Sequence, residues 1–182
     1  MADDNLFSVQ VVTPERVLIN GVASQVILRT ADGDITFLAG HTPLVGAVEP
    51  GVVRVVAESG DEERVAAHGG FVQVEQHVAT DGMVESAAAS SALSGTRVTV
   101  LAGIAELAVE IDVERARVAL DAAESRVADL AASSGGRGGS GGATAGSGEG
   151  DEVDVELPEA EAALRRAQVR LEAAGVTAGA NA

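Results

Sequence analysis

The residues of this chain with chemistry to offer are arginines, carboxylates and three histidines. Their placement excludes more than it allows. His41, His68 and His77 fall on different turns, with none of the spacing a zinc site requires, so each reads as a structural histidine. Cysteine is absent, which removes disulfides and thiolate chemistry. Lysine is absent too, so all twelve strong cations are arginines, and Schiff-base chemistry and the lysine of a phosphate-binding P-loop are unavailable. No G-x-S-x-G, P-loop or G-x-G-x-x-G follows a strand, and Gly69 and Gly70 in HGGF read as a tight turn. On residues alone a binding or coupling module is favoured over an enzyme, with an enzyme built on buried carboxylates the weakest reading.

Such residues need a scaffold, and 182 residues are enough for one respectable core, or a medium core with an appendage. Phe7, Phe37 and Phe71 are the only aromatic residues, so the core must be built of Val, Ile, Leu and Ala. The same scarcity removes the stacking platforms of single-strand binders, and a formal charge of -16 repels phosphate backbones. Nucleic acid is therefore an unexpected partner. No segment approaches 18 uninterrupted apolar residues, and the start MADDNLFS lacks a basic n-region. The expectation is a soluble cytosolic protein that meets a membrane only through partners.

The hydrophobic period changes within the run ELAVEIDVERA at residues 106–116. Before it, apolar residues alternate or cluster in short runs, as strands require. Strands are expected at residues 7–13, 17–19, 23–29, 35–38, 44–48, 52–57, 64–67, 71–75 and 98–102. Asn20-Gly21 is expected to be a type I′ hairpin turn and Asp32-Gly33 a second turn. Many short strands at regular spacing predict an antiparallel sandwich or barrel. Residues 76–97 read as an exposed loop inserted between two strands.

After the run, the spacing becomes helical. A first helix is expected from Val113 to about Ala132, capped by Asp112, with a seam of Val113, Ala116, Leu120, Ala123, Val127 and Leu130. A second is expected from about residue 155 or 158 to Ala174, with a seam of Leu157, Ala160, Leu164, Ala167, Leu171 and Ala174. Matched seams rich in Ala predict a closely packed antiparallel hairpin. Half the positions of the intervening segment, residues 133–150, are Gly, so it reads as a flexible tether spanning roughly 23 Å. The fold class is thus mainly β plus α: an N-terminal antiparallel β-sandwich, residues 1–105, followed by a C-terminal helical hairpin, residues 106–175, and a tail, 176–182.

The order of pieces resembles one family, the epsilon subunit of F-type ATP synthases. The matching pieces are VVTPERVLINGVASQVILRTADGDI, the GH-x-PL run at residues 40–44, PGVVRVV, HGGFVQV, VTVLA, EIDVERA and AEAALRRAQVRLEAAG. They cover the chain apart from residues 76–97 and the glycine-rich segment. The resemblance implies a noncatalytic subunit of the rotor. Its sandwich would bind the gamma subunit and the c-ring, and its hairpin would regulate ATP hydrolysis by reaching toward the alpha/beta catalytic head. It implies a peripheral location on the cytoplasmic face of a bacterial plasma membrane. The competing reading is a stand-alone acidic β-sandwich adaptor with a helical tail.

The resemblance also assigns candidate sites. The loop Ala31, Asp32, Gly33 and Asp34 corresponds to the family's c-ring contact, and His41 lies in the turn near gamma, although Thr36 and Ala39 depart from the family's usual Gly and Pro. An I-D-x-x-R-A motif that binds ATP in some bacterial members is matched by Ile111, Asp112, Arg115 and Ala116, with Glu106 upstream and Arg166 and Arg170 on the last helix. Arginines one helical turn apart can grip a triphosphate. Ala122 stands where ATP-binding members often carry another Arg. Two readings of this set remain open: ATP as a regulatory ligand with no required cofactor, or a helix cap flanked by solvated arginines.

Overall fold

A computed structural model describes residues 5–76, 95–135 and 156–176. Among the described residues, ten strands form two five-stranded sheets. They are β1 (Phe7–Val12), β2 (Val17–Ala23), β3 (Gln25–Thr30), β4 (Gly33–Phe37), β5 (Leu44–Val48), β6 (Gly51–Val56), β7 (Glu62–Ala67), β8 (Gly70–Gln76), β9 (Thr96–Ala102) and β10 (Ala105–Leu107). The first sheet runs β2-β1-β9-β8-β5 and the second β10-β7-β6-β3-β4. All pairings are antiparallel except β1 with β9, which lie parallel. The expected sandwich plus hairpin is the observed architecture.

Alternation places one face of each sheet in a shared core of Phe7, Phe37, Leu28 and many valines. β-Branched side chains suit this position because their stiff χ1 packs well on a pleated surface. The third aromatic residue, Phe71, stays outside, 59% exposed.

One turn is corrected. Asn20-Gly21 does not form a hairpin turn, because β2 runs straight through it with Asn20 opposite Gln10 and Gly21 opposite Val9. The Gln10 amide donates to Asn20 Oδ1 across the strands at 3.1 Å. The chain instead changes sheet at Ser24, whose N–H and Oγ donate to Val56 O at 2.9 and 3.2 Å, with Ala57 O a further acceptor. Pairing along the length of β1 outweighs the local turn preference. Strand β10 was not expected: three residues complete the edge of the second sheet beside β7.

Gly70 marks the entry to β8. Its φ is 147°, and a Cβ there would lie 2.1 Å from Leu101 O, so no other residue fits. The HGGF run is therefore the tight turn expected of it.

A single 3-10 turn, Ala108–Glu110, links β10 to helix α1 (Val113–Gly135), and helix α2 is Glu156–Ala173. Asp112 caps α1: its Oδ1 accepts the Arg115 N–H at 3.0 Å. The predicted seam is buried at Ala116, Leu120 and Ala123 on α1 and at Ala160, Ala167 and Leu171 on α2. Helix α2 also buries Val169 and Ala173, which pack on Ala66 and Val52 of the second sheet. Residues 167 and 171 lie about 200° around the helix from 169 and 173, because each residue advances about 100°. So α2 is a middle layer, with α1 on one side and the second sheet on the other. His77 and most of the 76–97 and 133–150 segments lie outside the described residues.

Candidate functional site

The residues with ligand-binding chemistry meet where β10, the 3-10 turn, the start of α1 and the last turns of α2 converge. A cleft of about 250 Å³ there is lined by Glu106, Glu110, Ile111, Asp112, Arg115, Ala116 and Arg170. Six of the seven residues singled out in the sequence are thus brought together. The seventh, Arg166, lines a neighbouring cavity with His68. Arg170 is ion-paired with Glu106, and Glu110 with Arg16 from the turn before β2. The hydrogen bonds from Arg16 hold the Glu110 carboxyl below its usual range.

The cleft's own groups are three carboxylates and two guanidiniums. Asp112 is committed to capping, and Arg170 is shared with Glu106. A phosphate group entering here must compete with Glu106 for Arg170, using Arg115 as the second cation. The Glu110–Arg16 pair was missed by sequence reasoning. Nothing local signals it, because 94 residues separate the partners.

The β3–β4 hairpin carries Ala31, Asp32, Gly33 and Asp34 at its exposed tip. Thr30 Oγ1 donates to Gly33 O at 2.9 Å, and Gly33 takes a φ of 117°. Asp34 is held by Arg29, at 2.8 Å from Nε and 3.3 Å from Nη2. These hydrogen bonds lower the carboxyl's pKa, so Asp34 stays ionised. His41 sits on a turn fixed from below: Gly40 N–H donates to Thr96 Oγ1 at 2.8 Å, and Gln76 Nε2 donates to His41 O at 2.9 Å. Its ring meets Phe37 edge-on, with centroids 4.9 Å apart.

A third surface lies on the far face of the first sheet. The registers place Val17, Val12, Leu101, Phe71 and Ala47 opposite one another in a row across all five strands. Val17 is 58% exposed, Leu101 45% and Phe71 59%, and Val45 beside the row is 71% exposed. Its signal was slight, since Phe71 of β8 and Leu101 of β9 are single apolar residues among outward positions otherwise held by Gln73, Glu75, Arg97 and Thr99.

A sandwich with an apolar row on one outer face and a hairpin packed on the other, with a charged cleft at the seam, is a scaffold with two distinct surfaces. Residues 6–87 match the family model described as ATP synthase, Delta/Epsilon chain, beta-sandwich domain. The chain is 44% identical over 126 residues to the ATP synthase epsilon chain of Thermobifida fusca, covering 68% of this chain and 79% of that one. It is 36% identical over 176 residues to the epsilon chain of Symbiobacterium thermophilum, covering 96% and 95%. The chain belongs to the ATP synthase epsilon chain family, which displaces the reading as an unrelated adaptor. The fold is shared with a chain of the Euglena gracilis mitochondrial ATP synthase, seen by cryo-EM, at a TM-score of 0.61 and 20% identity, over 92% of this chain and 80% of that one.

Proposed function

We propose that this stalk subunit of ATP synthase catalyses nothing itself and couples two partners. The outer face of the first sheet grips the gamma subunit, and the tip of the β3–β4 hairpin meets the polar loops of the c-ring. Attachment to the membrane is then indirect, at the cytoplasmic face, through the c-ring. The observation that carries this reading is the row from Val17 to Ala47. It is an apolar band on the sheet that the hairpin leaves bare, and contiguous exposed apolar surface marks an interaction site.

The hairpin is the regulatory part. Docked, it lies on the second sheet; extended, α2 reaches toward the catalytic head and obstructs rotation in the hydrolytic direction. Docking on the sheet rests on a small patch, Val169 and Ala173 against Ala66, Val52 and Ala108, and each buried Ala contributes much less than the roughly 1.5–3 kcal/mol of a buried Leu or Val. ATP in the cleft of Glu106, Asp112, Arg115 and Arg170 favours the docked state only by binding it more tightly than the extended one.

The test is capture of purified gamma subunit by the chain and by Phe71→Asp. At least a tenfold loss of affinity is expected, with an unchanged melting temperature. Equal affinity would move the gamma contact off this face.

A further inference from the structure

His68 lies where the turn into β8 meets α2, and neither the cleft nor the apolar row uses it. Its N–H donates to Ile104 O at 3.0 Å, which fixes the backbone. The ring lines a cavity of about 360 Å³ between the sandwich and the first turns of α2. Both ring nitrogens are buried and lack a hydrogen-bond partner among the described residues, as does the buried Nε of Arg170. A neutral imidazole in that position forgoes hydrogen bonds, and a charged one forgoes far more.

The charges around the ring come from every element packed on it. Helix α2 supplies Arg170 and Arg166, with Arg165 and Glu161 lining the same cavity; β10 supplies Glu106; the turn between β5 and β6 supplies Glu49. Glu106 is already paired with Arg170, and neither Glu49 nor Glu161 is hydrogen-bonded to the ring. The side of the ring facing α2 is therefore cationic.

We propose that His68 is a proton-operated release for α2. The neutral ring tolerates the helix above it; the protonated ring adds a further positive charge beneath Arg165, Arg166 and Arg170, and the helix lifts. This rests on the docked-hairpin reading above. Burial, then Arg170, lowers the ring's pKa; Glu106 opposes them and Arg166 adds to the lowering. The sign follows. A group whose pKa is depressed in the docked state favours docking fully above its undocked pKa, near 6.5. That preference is lost as pH falls toward the docked value.

The experiment uses the full chain, whose lack of cysteine allows a donor and acceptor dye to be placed on Glu58→Cys and Gln168→Cys. Between pH 8 and 5.5 the ratio of docked to undocked hairpin is expected to fall by up to about tenfold per pH unit below about 6.5, the limit for one proton. His68→Gln is expected to hold a flat ratio. An equal slope in His68→Gln, or a docked wild type that ignores pH, would overturn the proposal. A hairpin already undocked at pH 8 would overturn the docked-hairpin reading as well. Should His68→Gln fail to fold, the ring's NMR titration in the wild type decides: a shift to lower pH supports the release, and titration at the ordinary value with the hairpin docked refutes it.

Discussion

Arg170 of α2 and Glu106 of β10 form an ion pair across 64 residues of chain, and that pair closes the cleft. Its two side chains are about one-third exposed. The guanidinium that clamps the hairpin is thus the one a nucleotide phosphate would have to recruit. Isothermal titration of ATP, with and without magnesium, is expected to give saturable heat in the wild type and none in Arg166→Ala/Arg170→Ala. Silence of the wild type up to millimolar ATP would leave the I-D-x-x-R-A motif as a helix start alone.

Glu106→Gln keeps the shape of the clamp and removes its charge. A partly exposed pair contributes at most about 1 kcal/mol, so amide exchange in α2 should accelerate roughly fivefold while exchange in β8 and β9 stays constant. Acceleration throughout the sandwich would mean that the pair supports the whole fold.

Val169→Asp places a carboxylate between α2 and Ala66, in a contact built of Ala, Val and Ile side chains. The helix is expected to leave the sheet, which limited proteolysis would report as cleavage in α2, while the sandwich keeps its melting transition. A variant as resistant as the wild type would contradict the middle-layer packing.

Gly70→Ala tests the turn that aims His68. The added methyl meets Leu101 O at 2.1 Å, and the φ of 147° is closed to L side chains, so a loss of more than about 2 kcal/mol is expected, read as a large drop in melting temperature. Gly21→Ala, at a position with open space around it, serves as the mild comparison.

Arg29→Gln should raise the titration of Asp34, followed by carboxyl NMR, toward the ordinary carboxylate value. In the wild type the hydrogen bonds from Arg29 lower that pKa. The pair's stabilising effect is therefore present above about pH 4 and fades as pH falls through the lowered value. An unmoved titration would show that Arg29 does not hold Asp34 in solution.

Periodicity exposed most of the architecture, because β1 alternates, the other strands are short apolar runs bounded by turn residues, and the Ala-rich seams of α1 and α2 repeat at helical steps. It failed at Asn20-Gly21, where a strong local turn signal yields to pairing with β1, and at β10, three residues too short to show a period. Six of the seven cleft residues were named from the family resemblance, which orders the motif along the chain. The placement of Arg166 beside His68 was not legible, since a helical wheel does not say which neighbour each face will meet. Nor was the second buried face of α2: Val169 and Ala173 are ordinary helix residues until a sheet lies beneath them.

Helix α2 fills two interfaces with one body. When it leaves, Ala66 and Val52 on the sheet and Ala116 and Leu120 on α1 lose their cover in the same step. On the reading proposed above, a helix that serves two interfaces at once would behave as a switch with two settings rather than a dial.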